Sequence, residues 1–272
     1  MDHLLDRRRL LTLAAMASAA GTFPVSAKEQ DAAPSANPLA IPADAPRITM
    51  LVHPRMVLLD LIGPMTAFNI LRTHIDLVWK DKTPVSTELG IPVTPTKTFA
   101  EADEAPDVLF VPGGTMGTVD CMNDPEVLEF LRGRGEKAGW VTGICTGVLT
   151  LAASGLLEGY DATANWVHAD LLPLMGARRV NKRVVTDRNR MTGAGVTAGV
   201  DFALTLAAEL RGEEEARRVQ LILEYAPEPP YEGGTPEREP ELAAALRART
   251  PWMREQVENA SKAAGQRLAI GK

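Results

Sequence analysis

Gly143-Ile144-Cys145-Thr146-Gly147 has the G-x-nucleophile-x-G spacing of a nucleophile elbow, with cysteine at its centre. The apolar run Trp140–Ile144 before it reads as a buried strand, and residues 146–154 after it as a helix. The flanking glycines suit a strained strand-to-helix turn, where a Cβ would collide with its neighbours. A cysteine at the start of that helix meets unpaired N–H groups that favour the thiolate, the form that attacks electrophilic carbon. The plain alternative is a buried structural cysteine, since cysteine is among the most buried residue types.

A thiol nucleophile needs an acid–base partner and donors for developing negative charge. No histidine adjoins Cys145, and the best carboxylate is Asp60, in the apolar stretch Leu58-Leu59-Asp60-Leu61-Ile62-Gly63-Pro64. Such a residue is a helix N-cap, a functional carboxyl, or both, and its apolar neighbours are expected to raise its pKa. The N–H of Thr146 and the loop Pro112-Gly113-Gly114 are the visible candidates for an anion hole, although a Gly-Gly pair alone is equally a plain turn. His168 could serve as a base but reads more readily as a packed side chain; His53 and His74 flank strands and read as structural. A regulatory Cys121–Cys145 disulfide is conceivable in an oxidising compartment.

The elements that must position these groups alternate. Strands are expected at 47–53, 74–79, 107–111, 140–144, 183–187 and 190–192, with a hairpin excursion over 85–99. Helices are expected at 62–72, 124–137, 146–154, 165–175, 197–210 and 213–225, with Asp124 capping the second and Pro125 at its first position. Alternation of this kind specifies an α/β fold: a mostly parallel central sheet covered by helices on both faces. Residues 226–240 are rich in proline and glycine, and 240–267 form a polar helical segment.

Residues 1–27 read as an export signal. Asp6-Arg7-Arg8-Arg9-Leu10-Leu11 precedes an Ala-rich apolar run, shorter than the ~20 residues of a membrane span, and Val25-Ser26-Ala27 follows as a cleavage site. The twin-arginine order implies a periplasmic or secreted protein without stable membrane association, and residues 28–46 a flexible spacer. The 272-residue chain carries a net charge of −6 and only 5% aromatic residues, which argues against nucleic acid as a partner. Two cysteines and four histidines supply neither a disulfide framework nor a Cys- or His-based metal site.

The segments LLDLIGPMTAF, VLFVPGG, VTGICTGVLTLAASGLLEGYDATANW, NRMTGAGVTAGVDFAL and LEYAPEPPYEGGTPE, in this order, resemble the ThiJ/PfpI superfamily, class I glutamine amidotransferase-like, and within it the isonitrile hydratase branch. The resemblance covers residues 47–236 and leaves 237–272 as a C-terminal helical extension. It implies a flavodoxin-like three-layer sandwich, a homodimer, a small-molecule substrate, and neither metal nor organic cofactor. It also implies roles for Cys145 as nucleophile, Asp60 as proton carrier and Thr146 as a positioning hydroxyl, with a backbone N–H of Gly195 or Val196 facing the sulfur. Ile62, Asn165 and Trp166 are expected around the substrate. Asn165-Trp166 departs from the His-Trp common in the family, and Thr146 stands where protease-like relatives carry histidine. The implied reaction is hydration of an isonitrile to an N-substituted formamide through a thioimidate. The rivals are a reactive-cysteine redox sensor without turnover and a Cys-dependent hydrolase or deglycase.

Overall fold

The computed structural model describes residues 40–271; the expected export signal and most of the expected spacer lie outside them. β1 (Arg47–Leu51) leads into α1 (Leu58–Ile70) and β2 (His74–Trp79). β3 (Val85–Ser86) and β4 (Pro92–Val93) form the expected hairpin, after which β5 (Lys97–Thr98) joins the edge of β2. β6 (Val108–Val111), α2 (Met116–Asn123), α3 (Pro125–Gly135), β7 (Trp140–Ile144) and α4 (Gly147–Ala153) carry the centre of the fold. β8 (Asp161–Ala162), a 3-10 helix (Ala169–Met175), β9 (Arg178–Arg179), β10 (Val184–Asp187) and β11 (Arg190–Gly193) follow. The chain closes with α5 (Ala198–Arg211), α6 (Glu213–Ile222), α7 (Pro240–Arg249) and α8 (Pro251–Arg267).

The main sheet has seven strands in the order β10-β11-β7-β6-β1-β2-β5, all parallel except for the antiparallel β10–β11 pair. Strand alternation divides the interior into two cores. Leu109 and Val111 point to one side, against Val119 of α2, Leu131 of α3, Leu149 of α4 and Val257 of α8. Val108 and Phe110 point to the other, against Leu61 and Phe68 of α1, Phe202 of α5 and Val219 of α6. Every residue of β6 is buried, as expected of a central parallel strand covered on both faces. The fold is the flavodoxin-like three-layer sandwich.

Several boundaries differ from the expectation for reasons that lie outside the local sequence. α1 starts at Leu58 rather than residue 62, because the carboxylate of Glu88 accepts the Leu58 N–H at 2.9 Å and closes the helix end from thirty residues away. Pro64 is therefore inside the helix and not in its first turn; it cannot donate to the carbonyl of Asp60. Residues 165–168 form a turn before the 3-10 helix, where a longer helix was expected. α2, with a glycine in its first turn, gave no periodic signal. The polar segment after Pro240 breaks into two helices at Thr250, which sits before Pro251 at φ −132° and ψ 58°. α8 buries Val257, Ala260 and Ala264 in the core beneath α2.

Candidate active site

Four adjacent parallel strands, β11, β7, β6 and β1, end on the same side, and each is followed by a segment that reaches one point. After β7 the chain turns through Cys145, whose φ of 55° is left-handed and costly for a residue with a Cβ. Its N–H donates to the carbonyls of Gly193 (3.1 Å) and Ala194 (2.7 Å), and its carbonyl accepts from the Asn165 N–H at 3.2 Å. These bonds hold the turn in its strained form. Gly147 must lack a side chain because a Cβ there would stand 2.3 Å from the carbonyl oxygen of Pro112.

After β1, α1 carries Asp60 inward in its first turn, fully buried. Asp60 is not the N-cap: that position is Val57, without a side-chain bond, and Asp60 is the third helical residue. After β6, the N–H of Gly113 donates to Asp60 Oδ2 at 3.0 Å. The Cys145 thiol lies against the same carboxyl and interacts with it, yet Oδ1 of Asp60 has no hydrogen-bond partner among the described residues. Gly113 marks where the groups meet: a Cβ there would lie 2.7 Å from Asp60 Oδ2, 2.8 Å from Cys145 Cβ and 2.8 Å from the Thr146 nitrogen.

Burial raises the Asp60 pKa to about 6, against a smaller opposing pull from the Cys145 and Gly113 bonds. Burial also pushes the Cys145 thiol up, and the Asp60 charge adds to this, while the N–H groups of Thr146 and Val196 pull it down. Burial thus disfavours a charge on either group, and each is perturbed by the other. Val196 follows β11 and Thr146 follows β7, so the sulfur is held by amides at the entries to α5 and α4.

Two assignments made from the sequence change, and a third is narrowed. Gly113 and Gly114 are not free oxyanion donors: the Gly113 N–H is spent on Asp60 and the Gly114 N–H on Thr146 Oγ1 at 2.9 Å. The Thr146 hydroxyl does not face substrate or water. It accepts from Gly114 and from the Thr115 N–H (3.1 Å), so its one proton goes to Thr118 Oγ1 at 2.8 Å, and its capacity is full. What Thr146 offers sulfur is its backbone. Of the pair Gly195 and Val196, the Val196 N–H is the one that pulls the thiol pKa down.

Asn165, Trp166, Gly195 and Val196 line one cavity of about 410 Å³ beside the Cys145 loop, with Arg179 and Thr235 in its walls. Ile62 is not among its walls; it lies 38% exposed on the outer face of α1. Two residues along a helix from Asp60, it points away from the buried carboxyl. His168 is buried, but it lines a different cavity. The His53 ring spans the carbonyls of Pro54 (3.0 Å) and Pro112 (3.3 Å), and His74 reaches Pro42 at 3.1 Å. Cys121 and Cys145 are both free thiols in cores on opposite sides of the sheet, so the Cys121–Cys145 disulfide is not formed.

A parallel sheet with a strained cysteine elbow and a buried carboxylate beside it defines a class of cysteine-centred α/β proteins, and residues 46–209 match the DJ-1/PfpI family. The chain belongs to that family. It is 43% identical over 223 residues to an isonitrile hydratase from Pseudomonas putida, covering 81% of this chain and 97% of the relative. The crystal structure of a ThiJ/PfpI family protein from Pseudomonas syringae superposes with a TM-score of 0.78 at 40% identity, covering 80% of this chain and 90% of that one. Toxoplasma gondii DJ-1, at 22% identity and a TM-score of 0.62, shares the fold over 67% of this chain and 100% of its own.

Proposed function

We propose that the protein hydrates an isonitrile to an N-substituted formamide, with Cys145 as nucleophile and Asp60 as the proton carrier. The observation that carries this reading is the meeting of the Asp60 carboxyl, Cys145 and the Thr146 amide around Gly113. Similarity to the Pseudomonas putida isonitrile hydratase over most of both chains supports the substrate class.

The chemistry follows from the geometry. Cys145 is only 5% exposed, so the electrophile has to reach sulfur through a narrow opening. An isonitrile is a linear rod with its reactive carbon at the tip, and suits such access better than a planar peptide carbonyl flanked on both sides. As sulfur bonds to that carbon, Asp60 Oδ1 accepts the thiol proton and returns it to the same carbon, leaving a thioimidate. Water then adds to the carbon while Asp60 relays its proton to nitrogen. The carbon–sulfur bond breaks with its electron pair on sulfur, where the N–H groups of Thr146 and Val196 receive it. The hydroxyl proton returns to sulfur through Asp60, and formamide leaves. A carboxyl with pKa about 6 suits both directions of transfer near neutrality.

The redox-sensor alternative predicts reversible oxidation of Cys145 and no turnover. Export by the twin-arginine route and assembly as a homodimer belong to the same reading. The test is incubation of the purified protein and its Cys145→Ala variant with cyclohexyl isocyanide, following isonitrile loss and formamide gain. Turnover in the parent alone supports the reading; no turnover by a reduced parent contradicts it.

A further inference from the structure

A second cavity, of about 330 Å³, opens beyond the turn that follows the nucleophile loop. Three guanidinium groups line it, from Arg179, Arg247 and Arg254, with Asp170 and His168 beside them. Asp170 offsets one: Arg254 holds it through two bonds of 2.9 and 2.6 Å and also donates to the Val167 carbonyl at 2.7 Å. Arg247 donates to the Trp166 carbonyl at 3.1 Å and lies 4.9 Å over the Trp166 ring, and among the described residues it has no carboxylate partner. Arg179 is exposed and makes no hydrogen bond or ion pair among the described residues, although the Glu237 carboxylate is close enough to feel its field. The side chains lining the cleft therefore bring three guanidinium groups against one carboxylate, with Glu237 and Glu258 near enough to act on Arg179 and Arg254.

His168 gives the second observation. It is 4% exposed, it forms part of the wall, and its Nδ1 has no partner among the described residues. Buried polar atoms are ordinarily satisfied, and an orphaned one asks for a partner that the chain does not supply. Two guanidinium groups without an ion pair among the described residues, facing one cleft with His168 in its wall, make a receptor for a planar or tetrahedral oxyanion. We propose that this cleft binds a small oxyanion, a carboxylate or a phosphate, between Arg179 and Arg247.

The position of Arg179 gives the site its relation to the reaction, since the same side chain lines both this cleft and the cavity beside Cys145. The intervening turn is hung at one end from the Cys145 carbonyl by Asn165 and at the other from Arg247 and Arg254. The anion is either a separate small ion or the acidic end of a molecule whose other end lies near the sulfur.

The test titrates inorganic phosphate, and separately succinate, into the full chain by calorimetry, with chloride at equal ionic strength as the control. Saturable binding of either probe at about 1 mM or tighter is expected, weakened about tenfold or more in Arg179→Ala and Arg247→Gln. Far-UV circular dichroism checks that both variants fold. Heats no larger than those of chloride, or affinities unchanged in both variants, would overturn the site. The source is read from kcat/KM for a carboxylate-bearing isonitrile relative to cyclohexyl isocyanide. A ratio that drops about tenfold in Arg179→Ala places the anion on the substrate, and an unchanged ratio with phosphate affinity lost places it on a separate ion. Both support the cleft. If the protein hydrates no isonitrile at all, the titrations still decide the proposal.

Discussion

Gly113 and Asp60 are 53 residues apart in the chain, yet the Gly113 N–H donates to Asp60 Oδ2 at 3.0 Å inside the protein. That one bond fixes Oδ2, while Oδ1 has no hydrogen-bond partner among the described residues and the thiol lies against the same carboxyl. An immobile base with a single free oxygen is what a proton relay at one sulfur requires.

Replacing Asp60 with Asn keeps an oxygen for Gly113 and removes the proton carrier. The expected result is a loss of about 10²–10⁴ in kcat, as for deletion of a general base, with little change in fold. In the parent, kcat/KM is expected to fall as pH drops through about 6, where Asp60 takes up its proton, and this limb should vanish in Asp60→Asn. Rate–pH profiles of the two proteins check both statements.

The same residue weakens the fold. Its pKa rises from 3.8 to about 6 on folding, so the native state binds the proton more tightly than the unfolded chain. The associated stability is complete below about pH 4 and is lost as pH climbs through about 6, at ~3 kcal/mol for roughly two units. Asp60→Asn does not ionise, so its stability relative to the parent should increase between pH 4 and 7 and then level off. Urea unfolding at a series of pH values measures this.

Much of this arrangement could be read from the order of residues. The Cys145 elbow, the apolar run of β6 and the α/β alternation follow from local pattern, because a buried parallel strand and a strained turn each leave a compositional mark. The start of α1 and the true role of Thr146 could not be read in that way. The first depends on Glu88 and the second on two bonds to the loop after β6 and one to Thr118 of α2, contacts between segments that are remote in sequence. The place of Ile62 came from the resemblance and not from local pattern, and its exposed position on α1 follows from the face that Asp60 takes.

Thr146→Val retains the shape of the side chain and removes the hydroxyl, stranding the N–H groups of Gly114 and Thr115. A loss of about 2–4 kcal/mol is expected from two buried donors, with activity falling as the loop loosens. Thr146→Ser should restore most of both, which chemical denaturation and steady-state rates would show.

Gly113→Ala forces a Cβ within 2.8 Å of the Cys145 Cβ and the Thr146 nitrogen, and within 2.7 Å of Asp60 Oδ2. Activity should fall by more than about 10²-fold, because a displacement of roughly 1 Å at reacting groups has that effect. Gly133→Ala in α3, where a Cβ meets nothing within 4 Å, is the control and should gain about 0.5–1 kcal/mol without changing the rate.

The central claim is a covalent bond between Cys145 and the isonitrile carbon. Rapid mixing of the reduced protein with cyclohexyl isocyanide, acid quenching and intact-mass analysis tests it directly. The expected result is an adduct of one substrate mass on the peptide bearing Cys145, formed at least as fast as formamide and absent from Cys145→Ala. Formamide released without any adduct, by a Cys145→Ala variant as active as the parent, would contradict it.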